Sequence, residues 1–308
     1  MASSFIHPFQ VKCLTPFKQS LSRRRCRLTT RPVIASYTRG KATSSTRVFL
    51  SGPFHPGAEY TLPPEEAAHL RARRIRHGSQ ITLFDGTGAF ATATLDSESS
   101  VTVLTTTSAE ARSKSICAII ALPKSPSRAD GIVEKLVELG VHRLVWARTE
   151  RVIAAAPNQA RLARWARLAV AASKQSMRTD VPIVQTTSNW GELLELASQS
   201  DLVLLLSAAG TPILGQRCTD AVRAARNIAV LVGPEGGFTD TEEEKLEAVG
   251  ALKIGLGSNR LRVETAAFTA VAVLMQVALL ESSERTASIA RAKGGTNNSA
   301  SIADASPE

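Results

Sequence analysis

Val230-Leu-Val-Gly-Pro-Glu-Gly-Gly-Phe-Thr239 and, further on, Leu256-Gly-Ser-Asn-Arg-Leu-Arg-Val-Glu-Thr-Ala266 decide how this chain is read. The apolar run Ile228–Val232 is short and rich in β-branched residues, as a buried strand is. It stops at Gly233-Pro234, which regular structure does not readily continue through. Thr239 or Asp240 then offers a helix cap, with Glu242 or Glu243 three residues on as capping-box partner. The second stretch repeats the plan with a strand over Leu252–Leu256, a glycine-containing loop and a long helix from about Val263. Two strand–loop–helix units in succession predict an α/β fold, with both loops at the carboxyl ends of neighbouring strands, where such folds bind ligands.

Charge narrows what those loops hold. Gly233, Gly236 and Gly237 let main chain approach a ligand, but Glu235 sits among them and Asp240, Glu242, Glu243 and Glu244 follow. A phosphate is badly placed against so much negative charge, despite the helix N-terminus. The sequence has no Gly-x-x-x-x-Gly-Lys-Ser/Thr, and Gly255-Leu-Gly257-Ser-Asn-Arg260 puts arginine where a dinucleotide fingerprint needs its third glycine. That argues against a nicotinamide-dependent enzyme. The loops suit a ligand that is neutral or cationic where it meets them.

Gly-Pro-Glu-Gly-Gly before an acidic helix, then Leu-Gly, then Leu-Arg-x-Glu-Thr-Ala, resembles the ribosomal RNA small subunit methyltransferase E family, the uridine-N3 methyltransferases of the SPOUT class. The resemblance spans about residues 47–281. It implies a C-terminal SPOUT-type domain with a deep trefoil knot around a parallel sheet, a small PUA-like β-barrel domain before it, S-adenosylmethionine as cofactor, and a homodimer. By the same resemblance the cofactor contacts are Leu206, Ser207, Gly233, Pro234, Glu235, Gly236, Gly237, Leu256, Gly257, Leu261 and Thr265.

Outward from the motifs, residues 1–46 carry nine of the 37 Lys and Arg and no acid, the first being Glu59. With its Ser/Thr richness and Met-Ala-Ser-Ser start, this segment resembles an organelle transit peptide, chloroplast ahead of mitochondrion, and the chain a plant organellar member of the family. A basic arm touching nucleic acid is the other reading. Without the segment the chain is nearly charge-balanced, so the pI of 9.9 does not by itself argue for RNA binding. Cys117 and Cys218 stand isolated beyond it, which predicts neither a disulfide framework nor a metal site.

Residues 47–110 read as the small β domain. Strands are expected at Arg47–Leu50, Gln80–Phe84, Ala89–Leu95 and Val101–Thr107, with one helix at about Pro64–Arg71. His69-Leu-Arg-Ala-Arg-Arg-Ile-Arg-His77 is read as an RNA-phosphate contact, with Arg71 and Arg74 at the family's basic positions. After a polar connector, the second domain covers 116–282. It opens with the continuous apolar strand Ile116–Leu122 and a helix Ala129–Leu139 stopped by Gly140, followed by strand Arg143–Ala147. Lys124 and Arg151 match the family and either meet RNA or orient the site. A helix from Asn158 to Met177 places Trp165 on its core face. Gln175 and Arg178 carry over as RNA contacts, whereas Lys174 replaces the family's acid. Asp201–Leu206 is a further strand, with Ser207–Gly210 as its loop. Thr265–Leu280 has no charged residue and calls for burial on nearly all sides, a dimer interface covering part of it; it is shorter than a membrane span and contains Gln276. From residue 283 the composition predicts a disordered tail.

Methyl transfer to uracil N3 requires an aligned donor, loss of the N3 proton, and stabilised charge on the uracil oxygens. Arg262 is the candidate for that charge or for an RNA phosphate. Glu264 either accepts the proton or holds Arg262 and the start of the following helix. The partner expected is small-subunit ribosomal RNA or the assembled subunit, without membrane or metal. The competing reading is a non-catalytic ribosome-assembly factor on the same scaffold.

Overall fold

A computed structural model describes residues 46–109 and 114–294, with side chains through 281. The leader called at 1–46 therefore lies outside the described residues except for Thr46, as do most of the connector and the chain beyond 294. The first sheet is built from β1 (Arg47–Phe49), β2 (Glu59–Thr61), β3 (Gln80–Phe84), β4 (Ala89–Leu95) and β5 (Ser100–Ser108), ordered β1-β3-β4-β5-β2. β1 runs parallel to β3 and the other pairs are antiparallel. Alternating Ile81 and Leu83, Ala91, Ala93 and Leu95, and Val101 and Val103 fill its core with Leu70 of α1 (Pro64–Ala72). The short β2, half-exposed, carried too little apolar pattern to be foreseen.

The second sheet holds β6 (Ser115–Ala121), β7 (Arg143–Ala147), β8 (Ile183–Thr186), β9 (Leu202–Pro212), β10 (Asn227–Val232) and β11 (Leu252–Gly255). All pairs are parallel, in the order β11-β9-β10-β6-β7-β8. Ile116, Ile120, Leu144, Trp146 and Val230 pack beneath α2 (Pro126–Leu139), α3 (Gln159–Gln175), α5 (Gln216–Ala224) and α7 (Val263–Gly294). Ile119, Val145, Leu205 and Leu231 meet α4 (Trp190–Ser198) and α6 (Asp240–Ala248) on the opposite face. A strand covered on both sides must be apolar at every position, which explains the unbroken run of β6.

Two expectations change here. β10 and β11 are not neighbours, because β9 lies between them. The last helix continues to Gly294, so the disordered tail called from residue 283 does not begin there. Within one chain α7 already buries Val263, Ala267, Ala270, Val271 and Leu274, whereas Gln276, Leu279 and Leu280 are exposed. Only one side of the helix is therefore left for another surface.

Contacts among the described residues join the sheets. Glu66 on α1 pairs with Lys174 at the end of α3, both largely buried. The Val181 amide donates to the Gly86 carbonyl at 2.9 Å. Asp85 shapes that turn by accepting from the amides of Thr87 (2.8 Å) and Ala89 (3.1 Å), an arrangement that satisfies loop donors locally.

Candidate functional site

The carboxyl ends of β9, β10 and β11 supply three loops. Along β9, Leu205 pairs with Lys253 of β11, but the next partners are Thr211 and Ile254. Leu206–Gly210 therefore arches out of the ladder, so the expected loop exists as a bulge inside a longer strand. Gly210 is required at the foot of the arch: a Cβ there would stand 2.3 Å from the carbonyl carbon of Ile254. Leu206 and Ser207 are half-buried within the arch.

After β10 the chain turns through Gly233-Pro234-Glu235-Gly236-Gly237, with Pro234 buried and Glu235, Gly236 and Gly237 exposed. Gly237 adopts φ 72°, which a side chain would disfavour. Thr239 and Glu242 close the turn as a full capping box. Glu242 also accepts from the Glu150 amide at 2.8 Å, tying α6 to the β7 loop. Arg151 then reaches across: its Nη1 donates to Gly236 O (2.7 Å) and Phe238 O (3.0 Å). Of the two roles open to Arg151, the structure shows it holding this loop.

The third loop is latched to the second. Arg260 Nη2 donates to the Glu235 carbonyl at 2.7 Å. Arg128, in the first turn of α2, lies 3.7 Å from a Glu235 carboxylate oxygen and 3.8 Å from Glu264 Oε1. The other oxygen, Glu264 Oε2, is buried with no hydrogen-bond partner among the described residues. Arg262 is exposed, and its carbonyl accepts from Ala266 as α7 begins. Gly257 (φ 127°) and Thr265 are exposed, Leu256 is half-buried, and Leu261 is 37% exposed. A cavity of about 400 Å³ opens between the first and third loops, floored by Gly210, Gly255 and Gly257 and walled by Ile213, Leu214 and Leu256. That volume is in the range of small-molecule sites.

The basic residues divide. Arg71, Arg74, Lys124 and Gln175 are exposed, Arg71 pairing with Glu98 at 3.3 Å. Arg178 is a correction: it is only 7% exposed and donates to Val137 O (2.6 Å), Val141 O (2.7 Å) and the Asp180 carboxylate (2.6 Å). It adds side-chain donors to the carbonyls where α2 ends, and is not a surface contact. Trp165 is fully buried and donates to Asp130 at 2.9 Å, the core role expected for it. Burial pushes the Cys117 thiol up to about 11, so it stays protonated and unreactive near neutral pH. Among the described residues, no three His, Cys, Asp or Glu are grouped to hold a metal.

Arg128, Arg260 and the Ile213-Leu214 wall escaped the sequence reading. For Arg128 one signal existed. A cation in the first turn of a helix opposes the helix dipole, and α2 has no acid there to offset it.

Comparison with known proteins agrees with this geometry. Residues 110–275 match the RNA methyltransferase domain family. The Synechocystis protein "Ribosomal RNA small subunit methyltransferase E" is 31% identical over 231 residues, covering 73% of this chain and 75% of its own. Its Bacillus subtilis namesake is 28% identical over 229 residues, covering 70% and 89%. Among solved structures, the Neisseria gonorrhoeae enzyme of that name, bound to S-adenosylmethionine, aligns with a TM-score of 0.66 at 28% identity, covering 75% of this chain and 97% of its own. A Legionella pneumophila methyltransferase, also with bound S-adenosylmethionine, aligns at 0.67 and 27%, covering 76% and 98%. By the matched domain and the extent of these relatives, the chain belongs to the ribosomal RNA small subunit methyltransferase E family.

Proposed function

We propose that this protein methylates N3 of a uridine in the small-subunit ribosomal RNA of an organelle, using S-adenosylmethionine. The observation that carries the reading is the cavity between the first and third loops, with the second loop latched to the third by Arg260 and Arg128 set between Glu235 and Glu264 beside them. The residues fit the cofactor. Gly210 and Gly255 let the first and third loops cross closely beneath the cavity, Ile213, Leu214 and Leu256 give apolar contact, and the carboxylates of Glu235 and Glu264 on the adjoining segments suit a cation. When bound, the cofactor supplies an electrophilic methyl group on a sulfonium.

This chain's own residues do the rest. Arg262, exposed beside the third loop, stabilises negative charge on the uracil oxygens as the N3 proton leaves. Glu264, with one oxygen buried and without a hydrogen-bond partner among the described residues, accepts that proton or orders the loop. Arg151 and Arg260 fix the second loop through its carbonyls, so that the cofactor-binding main chain is set in advance. Exposed Arg71, Arg74, Lys124 and Gln175 hold RNA by phosphate and polar contacts.

In the same proposal the first sheet with α1 is a PUA-like RNA-binding domain, and the arch of β9 against β11 is part of a trefoil knot. The half-covered side of α7 meets a second copy, and residues 1–46 are a leader for import into the chloroplast. The test is methyl incorporation into organellar small-subunit RNA by the purified protein, with the product nucleoside identified by mass spectrometry against N3-methyluridine. A different methylated nucleoside overturns the site assignment. Cofactor binding without transfer to free RNA or assembled subunits favours an assembly factor.

A further inference from the structure

We infer that Arg128 is a positioning residue for the methyl-transfer site, acting through Glu264. The inference rests on the function proposed above and concerns a residue outside the two motifs. Three observations carry it. Arg128 stands between Glu235 of the second loop and Glu264 in the first turn of α7, 3.7 and 3.8 Å from their carboxylates. It does so from the first turn of α2, where the helix dipole disfavours a cation and nothing local rewards one. A local rule broken at the mouth of a site signals a role there. Glu264 Oε2 is buried without a hydrogen-bond partner among the described residues, so this carboxylate relies on a nearby charge.

Exposure decides which half of the bridge matters. Arg128 and Glu235 are 39% and 50% exposed at the side chain, a pair that solvent screens. Glu264 is 21% exposed, and its unpartnered oxygen lies out of reach of water. Removing the guanidinium leaves that carboxylate with only the N-terminal dipole of α7 to offset it, and favours its turning towards solvent. The turn would move the loop that also carries Arg262. Arg151 and Arg260 donate to main chain and fix the second loop's path; Arg128 faces side chains and biases where the carboxylate at the start of α7 points.

The test compares Arg128→Ala, Arg128→Lys, Glu264→Gln and the Arg128→Ala/Glu264→Gln double variant in the full chain. The first readout is amide hydrogen exchange in the protein without ligand. Exchange across 257–266 should rise severalfold in Arg128→Ala and return part-way in Arg128→Lys, while the core strands stay protected. The second is the single-turnover rate at saturating cofactor and RNA. It should fall about ten- to a hundredfold in Arg128→Ala, the scale of a small misplacement of reacting groups. Arg128→Ala should cost little more once Glu264 is Gln. Unchanged exchange across 257–266, or losses that multiply in the double variant, would overturn the inference. If the unaltered protein transfers no methyl group, the proposed function fails and the exchange readout alone decides Arg128.

Discussion

Replacing Lys174 by alanine strips the partner from a carboxylate that water hardly reaches. Glu66 is 8% exposed, and its Oε2 has no hydrogen-bond partner among the described residues, so Lys174 is its main compensation. Breaking a buried ion pair by removing one member costs roughly 3–5 kcal/mol. The Lys174 side chain keeps 19% exposure, so water partly enters the vacated space, and about 2–3 kcal/mol is expected. For a folded region of this size that lowers the melting temperature by roughly 5–10 °C. Lys174→Glu, which restores the acid of the family pattern, should do worse than alanine because it faces Glu66. Glu66→Leu/Lys174→Met, which removes both charges, should lie within about 1 kcal/mol of the unaltered protein. The assay is thermal unfolding followed by near- and far-ultraviolet circular dichroism, completed as a double-mutant cycle with Glu66→Ala. If Lys174→Ala melts within a degree of the parent, or the cycle shows no coupling, the pair does not hold the two sheets together.

Arg262→Ala should lower the single-turnover methylation rate by two to three orders of magnitude, roughly the loss for one electrostatic donor, with calorimetric cofactor affinity little changed. A normal rate at saturating RNA would reassign it to binding. Arg71→Ala/Arg74→Ala should weaken RNA binding and flatten its dependence on salt without altering cofactor affinity; an unchanged salt slope marks a merely solvated surface. Gly210→Ala forces a Cβ onto the Ile254 main chain and should abolish cofactor binding measured by calorimetry, whereas Ala209→Ser in the exposed crown of the same arch should be tolerated. Equal affinity in both variants would refute the close crossing as a determinant of the cavity.

What the sequence disclosed was what short range controls. The Thr239–Glu242 capping box, strand β10 and the start of α7 are each written in a few adjacent residues, and the structure has them where expected. Elements with weak local pattern were lost: β8 is only four residues, none of them fully buried, and its two apolar residues are too few to mark a strand. Arginines were the hardest. Arg178 lies in a polar turn and reads as an RNA contact, yet two of its acceptors stand 41 and 37 residues earlier in the chain. Arg128 likewise meets carboxylates far along the sequence, so neither its neighbours nor its spacing announced them. The placing of β9 between β10 and β11 is a matter of topology: consecutive strands usually lie side by side, and here they do not.

That placement has a consequence for how the chain is made. β9 is flanked only by β10 and β11, both of which follow it in sequence. Synthesised from the N-terminus, Leu202-Val-Leu-Leu-Leu206 emerges after β6, β7 and β8 with no strand yet available to pair with either of its sides. It becomes part of the sheet only when Asn227–Val232 has followed and inserted between it and β6. For that interval the nascent protein carries an unpaired, wholly apolar segment, the kind of exposure that leads to aggregation. A holding chaperone would be needed longest at that stage, and of a nested series of released C-terminal truncations one ending between Leu206 and Asn227 should be the most aggregation-prone.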